Sequence, residues 1–161
     1  IDWGVATRIW RQNGVTARKK PVLAIVERAV DPFPGFENIV LSFAQLERVV
    51  AEPRRYALWH AALAAINGVY LIVDTHTGKQ YVGSAYGDGG LLGRWKVYIQ
   101  TFHGGNKRLV AELGADPSTF NRFQFSILQI LPRSTTPEAV VAVETLYKNK
   151  LPTKQFGLNA N

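Results

Sequence analysis

Residues 67–87 read NGVYLIVDTHTGKQYVGSAYG, and this stretch limits the fold more than any other. Two short runs rich in Val, Ile, Leu and Tyr stand on either side of Thr-His-Thr-Gly, the pattern of two strands joined by a tight turn. A hairpin is antiparallel, and its turn sets the register. Pairing Ile72 with Tyr81 also pairs Tyr70 with Gly83, and it places the two tyrosines on one face as diagonal neighbours. A slip of one residue would send them to opposite faces. Strand tyrosines ordinarily pack a core. Gly68 and Gly83 argue for something else here, because glycine weakens a strand unless a close backbone approach requires it. Two phenols beside two such gaps suggest a site.

The flanking sequence supplies elements to cover a hairpin. The segment IVLSF reads as a strand and runs into SFAQLERVVA, where Ser42 and Gln45 have the spacing of a capping box. Pro53 ends that helix, and PRRYALWHAALAAI restarts one with proline in its first turn. After the hairpin, LLGRWKVYIQTF puts Leu91, Trp95, Ile99 and Phe102 at helical spacing. His-Gly-Gly-Asn interrupts, NKRLVAEL adds a short helix, and FQFSILQIL is a third strand ended by Pro132. The last helix is TTPEAVVAVETLYKNKL, with Thr136 as cap and Pro137 at its first position. These elements predict a compact α+β layer structure over residues 67–161, preceded by an α/β extension over residues 1–66. Within that extension PVLAIVERA reads as a strand or a short helix.

Composition narrows the function. The chain has 161 residues, enough for a core without staples. It has no cysteine, which excludes disulfides and thiolate metal sites and fits a cytoplasmic location. No apolar run approaches the ~18 residues of a membrane span, so no membrane partner is expected. Methionine is absent even at position 1, and the chain is therefore expected to be a fragment or to lack its start. The net charge of +7 is shared by both halves and favours a polyanionic partner through counterion release.

With these residues in view, the chain resembles the GIY-YIG nuclease superfamily. The resemblance rests on Gly-Val-Tyr at 68–70 and Tyr-Val-Gly at 81–83. It continues through Arg94, Glu144 and the C-terminal GLNAN, and covers roughly residues 67–161. Valine replaces isoleucine in both tripeptides. The resemblance implies a small three-stranded antiparallel sheet flanked by helices and metal-dependent cleavage of a phosphodiester, with Tyr70, Tyr81, Arg94 and Glu144 as catalytic residues and Tyr98, His103 and Asn159 in support. Asn161 is a second candidate for the C-terminal asparagine. His60 and His76 are expected to play no part in the chemistry.

The chemistry of these side chains agrees. Arginine presents a planar fork of donors to phosphate oxygens. Tyr98 follows Arg94 by one helical turn and shares its face. Glu144 lies among Val140, Val141, Tyr147 and Leu151, and a carboxylate on an apolar face needs a partner. That partner is either Mg²⁺ (or Mn²⁺), held by one carboxylate and its own waters, or a buried lysine or arginine. Tyr70 is expected nearest the attacking water. Its phenol titrates near pH ~10 unless a neighbouring cation stabilises the anion. Lys79, Lys96, Lys107 and Arg108 are candidate DNA contacts. In the first 66 residues, Arg8, Arg11, Arg18, Lys19, Lys20, Arg54 and Arg55 are further candidates, and Trp10 could stack on a base.

The function expected is a divalent-metal-dependent endonuclease acting on DNA, with RNA as the other nucleic acid open to it. One site per chain calls for a homodimer or two successive nicks to cut both strands. The alternative is a noncatalytic nucleic-acid-binding module that keeps the fold. A third reading, an interaction domain unrelated to nucleic acid, predicts no salt-sensitive DNA binding.

Overall fold

Four strands form one antiparallel sheet in the order β1-β4-β2-β3, in a computed structural model that describes residues 32–160. The segment PVLAIVERA, Trp10, Arg8, Arg11, Arg18, Lys19, Lys20 and Asn161 lie outside the described residues. β2 (Asn67–Asp74) and β3 (Gln80–Ala85) make the hairpin, with Tyr70 opposite Gly83 and Ile72 opposite Tyr81, the register read from the sequence. β4 (Phe123–Leu131) pairs with the other side of β2 and carries a bulge opposite Val69 and Tyr70.

The expected sheet of three strands gains a fourth. β1 (Val40–Ser42) pairs antiparallel with β4, Leu41 facing Phe125. It belongs to the segment IVLSF, which already reads as a strand because of its branched apolar residues. Local pattern does not say which strand it joins. The division expected after residue 66 falls inside the compact unit Asp31–Asn161, which the β1–β4 ladder helps to hold together.

The helices cover both faces of the sheet. α1 (Phe43–Ala51) begins on the expected capping box: the Ser42 hydroxyl accepts from Gln45 N–H at 3.3 Å, and Gln45 Oε1 accepts from Ser42 N–H at 2.8 Å. α2 (Ala57–Ala64) starts four residues later than Pro53 suggests, after a turn through Tyr56. His60 on α2 holds the Val49 carbonyl at 2.7 Å and ties the two helices together. α3 (Gly90–Thr101) packs with α1 and α2 on the face carrying Tyr70 and Phe125. Its buried face is Leu91, Leu92, Trp95 and Tyr98; Ile99 is only half-buried and Phe102 is exposed. The inward stripe is thus rotated from the expected one, and it carries a phenol inward.

α4 (Lys107–Ala115) is capped by Asn106, whose Oδ1 accepts from Arg108 and Leu109 N–H. α5 (Pro137–Lys150) has Thr136 as its cap and packs on the opposite face of β2 and β3. The C-terminal segment then runs along the free edge of β3, where Leu158 N–H donates to the Gln80 carbonyl at 2.7 Å. An open strand edge is a pairing hazard, and this segment occupies part of it. Among the described residues no helix is long and apolar enough to cross a membrane.

Candidate active site

The hairpin register brings Tyr70 and Tyr81 together, with ring centroids 6.5 Å apart. Gly83 makes this arrangement possible. A Cβ at Gly83 would stand 2.5 Å from the Tyr70 hydroxyl and 2.8 Å from the Tyr81 ring. Such a contact is impossible, so the strand must lack a side chain where the Tyr70 phenol passes. Gly68 answers a different need. Its Cβ would meet the Gln129 carbonyl at 2.7 Å, so this glycine admits the bulged β4 backbone rather than a phenol.

α3 brings the next two groups. Arg94 Nε donates to the Tyr70 hydroxyl at 3.1 Å, and Nη2 reaches the Tyr98 hydroxyl at 3.4 Å. The two hydroxyls are themselves 3.1 Å apart. The guanidinium also sits 5.0 Å from the centre of the Tyr98 ring, close enough for a cation–π attraction. Two aromatic side chains and two hydrogen bonds therefore aim one arginine.

Burial decides the protonation of this cluster. Tyr70 and Tyr98 are fully buried. Desolvation pushes the Tyr70 phenol well above its ordinary value, Tyr81 raises it further, and the opposing pull of Arg94 does not compensate. Desolvation likewise raises Tyr98. Burial pulls Arg94 down, but the surrounding phenols outweigh it, so the guanidinium stays charged. The sequence puts Tyr70 nearest the attacking water; in the structure its hydroxyl is buried and engaged by Arg94 and Tyr98, and burial favours its protonated form.

Tyr81 is 7% exposed, and its hydroxyl has no hydrogen-bond partner among the described residues. Together with Arg94 it lines two cavities. One, of about 320 Å³, is completed by Ser84, Ala85, Tyr86 and Glu144. The other, of about 370 Å³, is completed by Gly104, Gly105, Asn106, Lys107 and Ala160. Tyr81 and Arg94 thus form a shared wall. Ser84 and Tyr86 are lining residues with no distinguishing sequence signal; only their place at the end of β3 beside Glu144 marks them.

Glu144 reaches the first cavity from α5 with its side chain 14% exposed. Its surroundings are less apolar than the sequence suggests, since Val141 is 42% exposed. Lys148, one turn on, places Nζ 2.6 Å from Oε1, and the Ser84 hydroxyl donates to Oε2. Of the two expected partners, the structure shows the lysine. A single carboxylate facing a cavity with room for water still fits Mg²⁺, which keeps most of its hydration shell. Among the described residues there is no group of three or more acidic or histidine side chains placed to share an ion. Any ion here would therefore compete with the Lys148 ammonium for one carboxylate.

The supporting candidates divide. Asn159 is fully buried and pairs with both backbone groups of Val82, accepting from its N–H at 2.9 Å and donating to its carbonyl at 2.8 Å. It holds β3 next to Tyr81. His103 lines neither cavity; its Nδ1 accepts from Gly105 N–H at 2.9 Å and braces its own loop. Gly104 closes that loop over Tyr98, where a Cβ would lie 2.5 Å from the ring.

Of the basic candidates, Lys107 lines a cavity and Lys96 is half-buried on α3. Lys79 pairs with Glu112, and Arg108 donates to the Lys154 and Gly157 carbonyls at 2.9 Å. These two side chains are engaged in holding the fold. Arg54 is exposed, and Arg55 pairs with Glu52 at 3.0 Å. His76 is exposed at the turn.

Comparison with known proteins yields two solved structures. The catalytic domain of the homing endonuclease I-TevI is 24% identical, with a TM-score of 0.48, over 59% of this chain and 98% of that one. A mutant of the catalytic domain of the intron endonuclease I-TevI is 24% identical, with a TM-score of 0.49, over 60% of this chain and 94% of that one. No family model and no curated protein matches the chain.

Proposed function

We propose that this chain is a divalent-metal-dependent endonuclease of GIY-YIG type that hydrolyses phosphodiester bonds in DNA. The observation that carries the proposal is the setting of Arg94. Its inward nitrogens are held by two buried phenols, while its outer edge and Tyr81 form the wall of a cavity that also exposes Glu144. A preorganised guanidinium of this kind binds a phosphate and stabilises the charge that grows on its oxygens during displacement. Reorganisation is small because Tyr70 and Tyr98 already fix the fork. The Tyr81 hydroxyl would hydrogen-bond a phosphate oxygen or the entering water. Glu144 would hold the metal ion, which when bound lowers the pKa of its water and offsets phosphate charge. Asn159 keeps the Tyr81 strand from shifting.

One observation favours the second reading, a binding module without catalysis. Glu144 is already engaged by Lys148 and Ser84. Supercoiled-plasmid cleavage with Mg²⁺, Mn²⁺ and EDTA decides between the two, run on the parent and on Glu144→Ala, each checked for folding by circular dichroism. The proposal expects metal-dependent nicking in the parent and a loss of at least about a hundredfold in the variant. Salt-sensitive DNA binding by a folded parent that never nicks would establish the binding module instead.

A further inference from the structure

The second cavity is not needed to cut one bond, yet it is built around the same two side chains. Its lining contains two cations, Arg94 and Lys107, and no carboxylate. The Glu144 cavity has the opposite character, since an acid faces Arg94 across it. We propose that the cavity bounded by Gly104, Gly105, Asn106 and Lys107 is a second phosphate subsite, which takes the phosphodiester next to the one being cut. The inference rests on the reading of Tyr81, Arg94 and Glu144 as the cutting site.

Four features support it. Successive phosphates are covalent neighbours along a strand, and two cavities divided by one wall of Tyr81 and Arg94 suit such a pair. Arg94 is able to serve both, because the phenols engage its Nε and Nη2 and leave Nη1 unpartnered among the described residues. Lys107 is exposed and has no ion-pair partner among the described residues, in contrast to Lys79 with its Glu112. Gly105 keeps the cavity open, since no atom lies within 4 Å of where its Cβ would be.

Most amides of this loop are already engaged within the fold. Gly104 N–H donates to Thr101, Gly105 N–H to His103, and Asn106 N–H to the His103 carbonyl. The first amides of α4 are held by the Asn106 side chain. Recognition therefore falls to the charges of Arg94 and Lys107 and to the Tyr81 hydroxyl. Removing the Lys107 charge should weaken one phosphate contact and leave the others intact.

The test uses duplex oligonucleotides with the cut position mapped on unmodified DNA. A single methylphosphonate, which removes one backbone charge, is then placed at each phosphate flanking the cut. Parent and Lys107→Met are compared by kcat/KM. The proposal expects one flanking position at which neutralisation slows the parent about tenfold or more. Lys107→Met should be slower by a similar factor on unmodified DNA and lose less than the parent at that position, where Arg94 still acts, while keeping its full sensitivity at the others. Independent, multiplying effects at every position would overturn the subsite, as would a parent indifferent to all flanking neutralisations. If the parent cuts no DNA, the cutting-site reading fails by itself. Inorganic phosphate titrated against the backbone amides of residues 104–107 then tests the cavity alone. Saturable shifts that vanish in Lys107→Met retain an anion site there, and no shifts overturn it.

Discussion

Beneath Arg94 lie Tyr70 and Tyr98, fully buried; above it stands Tyr81, on the wall of two cavities. These regions use the same side-chain chemistry for different ends. The inner phenols hold a charged group still and are kept protonated by desolvation. The outer phenol, 7% exposed, lines both cavities and has no hydrogen-bond partner among the described residues. What separates the two tasks is access to solvent: a hydroxyl with no water near it can orient a neighbour but has nowhere to send a proton. The positioning layer and the contacting layer are consecutive inward and outward shells of one arginine.

The hardest blow to the inner layer should come from Gly83→Ala. The new methyl group would overlap the Tyr70 hydroxyl and the Tyr81 ring. Urea denaturation should show a loss of about 1–3 kcal/mol or more. Adding Tyr70→Phe removes the overlapped hydroxyl, so the double variant should lose less than the sum of the two single losses. Simple additivity in that double variant would break the claim that this glycine serves the buried phenol.

A finer division comes from the two single phenylalanine variants. Tyr70→Phe strips a partner from both Arg94 Nε and the Tyr98 hydroxyl, so stability should fall by about 1–2 kcal/mol, with kcat down about tenfold. Tyr81→Phe should change stability by less than about 0.5 kcal/mol and lower kcat more than Tyr70→Phe does. Denaturation and plasmid-nicking rates, measured on both proteins, would reverse the comparison if the two patterns were exchanged.

The smallest effect is expected in alkaline solution. The folded-state pKa of Tyr70 is raised above its unfolded value near ~10. Its contribution is therefore fully present below pH ~10, and it is lost as pH rises from there toward the folded value, because only the unfolded chain ionises readily. Thermal stability followed above pH ~10 should fall less steeply in Tyr70→Phe than in the parent. Equal slopes would mean that the inner phenol is not sealed from water.

Much of this arrangement is legible in the chain. The alternation of two short apolar runs and the length of the turn between them fix which residues face each other, so the Tyr70–Gly83 and Ile72–Tyr81 pairs follow from the local pattern alone. The helix starts at Ser42 and Thr136 are equally local, because a cap involves residues only three apart. The inward face of α3 is harder. Tyr98 and Ile99 are adjacent, both are bulky and apolar in part, and only the packing against Phe125 and Tyr70 selects the tyrosine.

Charges are the least legible. Lys79, Lys107 and Arg108 look alike as basic residues, yet one meets Glu112, one lines a cavity and one clamps the C-terminal segment. Glu144 carries two readings in sequence, a metal ion or a buried cation, and Lys148, one turn along the same helix, is the cation beside it. The chain by itself determined the strand register, the caps and the set of residues able to do the chemistry, because each follows from backbone geometry over a few positions. The tertiary structure alone decided which tyrosine meets water, which lysines keep a free charge and where the fourth strand joins, because burial and partner choice depend on groups far apart in the chain.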